Sequence, residues 1–270
     1  MKKLFAAMIL LCLTCTGCFQ GGSNLIITDD GKVFMRNKFI GVPMIAAQIE
    51  SFKDSHANKP NAEISPVAEN NMSGYEIRVN YPSIEAFAAD DNELFAAHTG
   101  KCKGIQHRRN WFFDAYKFDL LLSGERTLSP SEAAAVQSML SQATFNLIIE
   151  LPYSAEEHNA DKFDAANKFL TWNLAATMTG GGEKHMRVQF RLWRRDNIAI
   201  TVAVALLLLA GGIFFHVKSR AEESEQLSAD MIFRRNVFAG LFIALAVVSA
   251  YMLLSPLNFT DADIISVVKP

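Results

Sequence analysis

The chain has 270 residues, with 26 basic and 28 acidic side chains for a formal net charge of −2, so bulk charge offers no footprint for nucleic acid and no such partner is expected. Half of the residues are hydrophobic. Of the four cysteines, Cys12, Cys15 and Cys18 crowd the N-terminus, so Cys102 stands alone in the main domain and an internal disulfide there is excluded. A lone thiol of this kind reads as a small buried apolar residue.

Residues 1–18 read as an export signal. Lys2 and Lys3 precede an apolar run from Leu4 to Leu13, too short to span a bilayer by itself, and Cys15-Thr16-Gly17-Cys18 follows. A small residue before a cysteine is the mark of a bacterial lipobox, which makes Cys18 the candidate for lipidation. Cys15 stands where such a box usually has Leu, and an ordinary signal segment is the alternative.

Residues 19–196 form the exported domain. Once the apolar stretches are set aside, roughly 175 residues remain, enough for one domain with its own core. Phe19 to Ser23 reads as a Gly-rich linker. The run from Leu25 to Arg36 reads as strand, turn, strand about Asp29-Asp30-Gly31. Val42 to Phe52 has helical spacing of Ile45, Ile49 and Phe52 behind Pro43. Asp54 to Asn71, with Pro60 and Pro66, reads as a loop, and Tyr75 to Tyr81 alternates like a half-buried strand. A short helix is expected within Ser83 to Ala97, and a basic loop from Thr99 to Asn110 carries Lys101, Lys103, His107, Arg108 and Arg109. Trp111 to Leu122 is an aromatic-rich strand. Ser129-Pro130-Ser131-Glu132 opens a helix with a capping box and Pro at its first position. Strands follow at Thr144 to Leu151, Phe169 to Leu174 and Met186 to Trp193, with a polar segment at Ser154 to Asn167 and a turn at Thr179 to Gly182. Strands with a few interposed helices predict an α+β domain with a mainly antiparallel sheet.

Two stretches then run about twenty positions without a formal charge, 197–217 and 236–254, which is the length of a transmembrane helix. Residues 218–235 become a cytoplasmic loop and 255–270 a tail. Lys218, Arg220, Arg234 and Arg235 fit the positive-inside tendency, but Arg187, Arg191, Arg194 and Arg195 are as dense on the other side. The export signal decides the orientation: main domain outside the bacterial inner membrane.

The order of these elements resembles the LppM-like family of bacterial envelope lipoproteins. The likeness runs from Leu25 to Trp193 and is carried by the lipobox-like Cys18, the Asp-Gly hairpin, Phe145-Asn146-Leu147-Ile148-Ile149-Glu150-Leu151-Pro152, and Leu170-Thr171-Trp172-Asn173-Leu174 after Asn159-Ala160. It implies a membrane-anchored α+β domain without enzymatic activity, and a role in binding envelope glycolipids. The second apolar stretch departs from that pattern.

Little in the chain suggests chemistry. Glu156, Glu157, His158, Asp161 and Asp164 are ligand types without ligand spacing and read as a solvated loop, so no metal or cofactor is expected. His98 and His107 flank Cys102 in a basic loop with no nucleophile signature. Arg187, Arg191, Arg194 and Arg195 beside the first span are either interfacial anchors next to Trp193 or contacts to anionic lipid head groups. Trp111, Phe112, Phe113, Tyr116 and Phe118 either build core or line an apolar pocket. The expected partners are membrane lipids, or an envelope protein complex on which the domain docks.

Overall fold

The structure is a computed structural model, and it describes residues 19–42, 50, 53, 61–69, 71–90, 104–123, 144–175, 177, 183–221 and 224–265. These divide into two compact units. One holds the sheet residues up to His107, Tyr116–Leu192 and the chain from Thr260 on; the other holds Arg108–Ala115 and Trp193–Phe259.

Seven strands make the larger sheet: β1 (Phe19–Ile27), β2 (Val33–Gly41), β3 (Ala62–Glu69), β4 (Met72–Tyr81), β7 (Thr144–Glu150), β9 (Lys162–Asp164) and β10 (Phe169–Asn173). Their order is β3-β4-β2-β1-β7-β10-β9; β1 and β7 run parallel and every other pair in this sheet is antiparallel. The smaller sheet runs β5 (Gly104–Arg109), β6 (Phe113–Ser123), β11 (Glu183–Trp193) and β8 (Glu157–His158). The α+β class with antiparallel-rich sheets is therefore as expected.

Alternation decides which side chains face inward. Leu25 and Ile27 of β1, Val33, Met35 and Phe39 of β2, and Phe145, Leu147 and Ile149 of β7 all sit at odd positions and are buried, while their even neighbours, apart from the buried Ile40, are more exposed. One buried cluster draws on both sheets, with Trp172 at 0% exposure and Phe118 and Phe190 edge to face at 5.4 Å. The short helix α1 (Ile84–Ala89) adds Ile84 and Phe87 to it. Ser83 caps that helix, its Oγ accepting from the Ala86 N–H at 3.2 Å. Asn37 is wholly buried in this core, and the Ser23 hydroxyl donates to its Oδ1 at 2.7 Å.

The expected hairpin is present: Ile27 faces Val33 across a turn in which Gly31 takes φ 81°. Four expectations fail. Phe19 to Ser23 is strand, because β1 lies between β2 and β7, whose ladders hold a glycine-rich segment extended. Asp54 to Asn71 is not all loop, since β3 occupies its second half; Pro66 is tolerated because β3 is an edge strand paired only with β4. The basic segment at 99–110 contains β5, whose Gly104, Ile105 and Gln106 are buried and whose charges lie at its far end. The polar segment 154–167 likewise includes β8 and β9.

The two long helices are α2 (Arg195–Ala221) and α3 (Glu225–Leu254), each long and apolar enough to cross a membrane. Both outrun the apolar stretches that announced them, so residues 218–235 are mostly helix and only 222–224 separate the two. Beyond Phe259 the chain rejoins the sheet unit, where the Ile265 N–H donates to the Ile105 carbonyl at 2.9 Å. The signal segment with Cys18, most of the helix expected at 42–52, the helix from Ser129, the turn at 179–182, and His98 with Cys102 lie outside the described residues.

Candidate functional site

The helical unit has a built end. An α-helix leaves its last four carbonyls without partners in the helix. In α3, Tyr251 O accepts from the Ser255 N–H at 3.0 Å and the Ser255 hydroxyl at 2.6 Å, and Met252 O accepts from Asn110 Nδ2 at 3.2 Å. Asn110 Oδ1 meanwhile takes the backbone N–H groups of Phe112 (2.8 Å) and Phe113 (2.9 Å), which folds the segment between β5 and β6 into a tight tip. Asn197 Nδ2 donates to Trp111 O at 2.8 Å, and Trp111 Nε1 donates to Thr201 Oγ1 at 3.0 Å, so the same tip binds the first turns of α2. Phe112, Phe113 and Ala115 pack beneath it with Trp193, Ile198, Met252 and Leu257.

A cavity of about 190 Å³ opens at this end, lined by Arg108, Arg109, Asn110, Phe113 and the α3 terminus from Tyr251 to Leu257. Arg109 Nε lies 2.6 Å from Asp114 Oδ1 and Arg194 Nε 4.0 Å from Oδ2 of the same carboxylate. Arg108 Nη1 donates to the Asn258 carbonyl at 2.8 Å, an acceptor without formal charge. Two guanidiniums thus lie at one carboxylate and a third on a backbone carbonyl, beside apolar and aromatic side chains that include the 46%-exposed Trp111. Such a combination suits an anionic group attached to an apolar body.

The four arginines singled out from the sequence divide between the two units. Arg187 and Arg191 belong to the sheet unit, where Arg187 Nε sits 3.2 Å from Asp119 and Arg191 Nε 2.5 Å from Glu156. Arg194 and Arg195 belong to the helical unit, and Arg194 Nη1 also donates to Asn110 O at 3.4 Å. Arg108 and Arg109 belong to the basic run whose charges add to those arginines, while Asn110 carries no such mark in the sequence. Their signal was the basic run ending beside Trp111, which reads as a loop until Asn110 is seen to hold Met252.

The remaining clusters have structural work. Among the described residues no group of three His, Cys, Asp or Glu side chains is arranged to hold a metal. Glu156 pairs with Arg191; Asp161 pairs with Lys184 at 2.7 Å and accepts from the Asn173 N–H; Asp164 Oδ1 accepts from the N–H groups of Ala166 and Asn167. The Lys184 hydrogen bond holds the Asp161 carboxyl below its ordinary pKa. His107 stacks on Tyr116 at 4.5 Å, and the Tyr116 hydroxyl donates to Glu85 Oε1 at 2.9 Å. Burial works to raise the Glu85 pKa, but hydrogen bonds from its own backbone, Ser83 and Tyr116, with His107 near, leave it lowered. Phe112, Phe113, Tyr116 and Phe118 are buried, so that aromatic strand builds core. A polar groove of about 400 Å³ on the outer face of the larger sheet is lined by Asn24, Arg36, Lys38, Glu76 and Asn146, among others.

No family model and no curated protein matches this chain. Among solved structures, the folded domain of the Mycobacterium tuberculosis LppM protein superposes over 67% of this chain and 94% of its own length, at 13% identity and a TM-score of 0.41. A likeness this loose leaves the geometry of the chain itself as the basis for reading its function.

Proposed function

We propose that this is a bacterial envelope protein held in the inner membrane by α2 and α3, with its sheet domain outside, binding lipid or another apolar envelope molecule at the bilayer surface without catalysing a reaction. In this reading the signal segment ending at Cys18 exports the domain, the helices cross as a pair, and both chain ends lie on the outer side. The observation that supports it most is the collar of Arg108, Arg109 and Arg194, with Trp111 and Trp193, at one end of two helices that leave large apolar side chains such as Leu206, Leu207 and Ile243 exposed. Guanidinium takes phosphate in bidentate fashion, and tryptophan prefers the head-group level. Arg195 extends the collar at the start of α2. Arg187 and Arg191 would touch head groups only by exchanging Asp119 and Glu156 for them.

The test is mass spectrometry of the full chain released from detergent micelles. Wild type is expected to carry anionic phospholipid, and the double variant Arg108→Gln, Arg109→Gln to bind it about tenfold more weakly, the size of one lost charge-assisted hydrogen bond. A chain that carries no lipid, or a variant that carries it as well as wild type, overturns the lipid reading. Protease protection of the sheet domain in intact spheroplasts overturns the orientation. The open polar groove on the larger sheet favours a second reading, docking on an envelope protein complex. Crosslinking in cells separates the two, because a specific protein partner then appears while the arginine variants change nothing.

A further inference from the structure

The two glycines in the middle of α2 do different things. A Cβ on Gly211 would lie 2.4 Å from the Phe238 ring, so Gly211 is where α3 closes on α2. A Cβ on Gly212 would meet only Phe238 Cβ, at 3.9 Å. The space beside it belongs to an apolar groove of about 360 Å³ between the helices, lined by Leu209, Gly212, Ile213, Phe242 and Ile243. From Leu208 to His216 the groove follows α2 for roughly 12 Å at about 1.5 Å per residue. Its floor and walls are hydrocarbon, and only its far end is polar.

That end is closed by His216 and Arg235, where Arg235 Nη1 lies 3.3 Å from His216 Nδ1. Arginine only donates, so the imidazole accepts at Nδ1. The other guanidinium N–H groups reach Asn236 Oδ1 at 3.2 and 3.0 Å, again without formal charge. Asp230 is taken by Arg234 at 3.0 Å, and no carboxylate among the described residues pairs with Arg235. A cation with neutral partners therefore stands at the mouth of an acyl-sized groove, at the end of the helices remote from the Asn110 tip.

We propose that this groove holds one acyl chain of a phospholipid with an anionic head group, its phosphate on Arg235, in the leaflet at the helix end remote from the Asn110 tip. Charge selects this occupant: an apolar helix from a second protein would fill the groove but leave the guanidinium unanswered at the edge of a low-dielectric medium. The proposal rests on α2 and α3 being spans, but not on any lipid bound at their other end.

The full chain in detergent, titrated separately with dioleoyl phosphatidylglycerol and dioleoyl phosphatidylcholine and read by native mass spectrometry, tests it. Wild type should take one tightly held phosphatidylglycerol per chain at this site, about tenfold more tightly than phosphatidylcholine. Arg235→Gln should abolish the preference while leaving some binding of both. In the Arg108→Gln, Arg109→Gln background, where the collar binds weakly, the tight adduct should persist, and Gly212→Leu, which fills the groove, should then remove it with either lipid. Equal binding of the two lipids by wild type overturns the proposal. So does a tight adduct that survives Gly212→Leu in that background, or one that the collar substitutions alone remove and that so belongs to the other end. A stable dimer crosslinked through residues 212 and 243 overturns it in favour of a helix partner. If Gly212→Leu does not fold, the Arg235→Gln comparison still decides.

Discussion

The sheet unit and the helical unit are built from the same apolar side chains, turned in opposite directions. Leu25 and Phe190 are at 0% exposure, whereas Leu207 is at 71% and Phe214 at 58%. The strands alternate with a period of two, which sends one face inward and leaves the other to polar groups. α2 has no polar face through its apolar stretch and none of its residues is buried; α3 meets it along one side, at Gly211 and Phe238, and what is left is apolar surface on a helix long enough to cross a membrane. Composition says how much apolar surface there is; period says what is meant to cover it.

The same substitution made once in each unit breaks that comparison most sharply. Leu25→Ala empties a fully buried site and should cost the sheet unit about 2–5 kcal/mol, lowering its thermal midpoint in the detergent-solubilised chain. Leu207→Ala should leave that midpoint where it is, because the side chain packs on no core. Equal shifts for the two would mean that α2 is buried against protein. Gly74→Ala comes next. A Cβ there would stand 1.9 Å from the Phe39 carbonyl oxygen, a backbone atom that cannot step aside without parting β2 from β4. A loss of about 1–3 kcal/mol is expected, with faster amide exchange along Val33–Gly41. A neutral result would show that the two strands are further apart than this register places them.

What the sequence discloses and what it hides follow from the range of the forces involved. The turn at Asp29-Asp30-Gly31, the alternation of Tyr75–Tyr81 and Met186–Trp193, and the two uncharged stretches are local signals, and each element formed where its pattern lay. β1 and β3 were obscured because Gly21, Gly22 and Pro66 are local breakers, overruled by neighbouring strands distant in sequence. The site was harder still. Arg194 and Arg195 were in view beside the first span, but Asn110 matters through Met252, 142 positions away, and no spacing rule reaches that far. The aromatic strand after it reads as core before pocket, and Phe112, Phe113, Tyr116 and Phe118 are buried as core, with Trp111 left exposed.

The smallest effect separates the units by acid. The apolar stretches 197–217 and 236–254 carry no carboxyl group, so acid has no carboxylate to neutralise there. The β1–β2 turn does: hydrogen bonds from Lys32 and from the Thr28 hydroxyl lower the Asp30 carboxyl from 3.8 to about 2. A folded pKa below the unfolded one means that the carboxylate's contribution is fully present above pH 3.8 and is lost as the pH falls toward about 2. Asp30 and Lys32 are both about half exposed, at 51% and 55%, so the contribution is weak and screened by salt. Carbon-13 NMR of the Asp30 carboxyl should show its midpoint near 2, and Asp30→Asn should remove one titration from the acid limb of the sheet unit's stability. A midpoint at the ordinary 3.8 would mean that the Lys32–Thr28 clasp does not hold in solution, leaving Gly31 and the strand pairing to set the turn on their own.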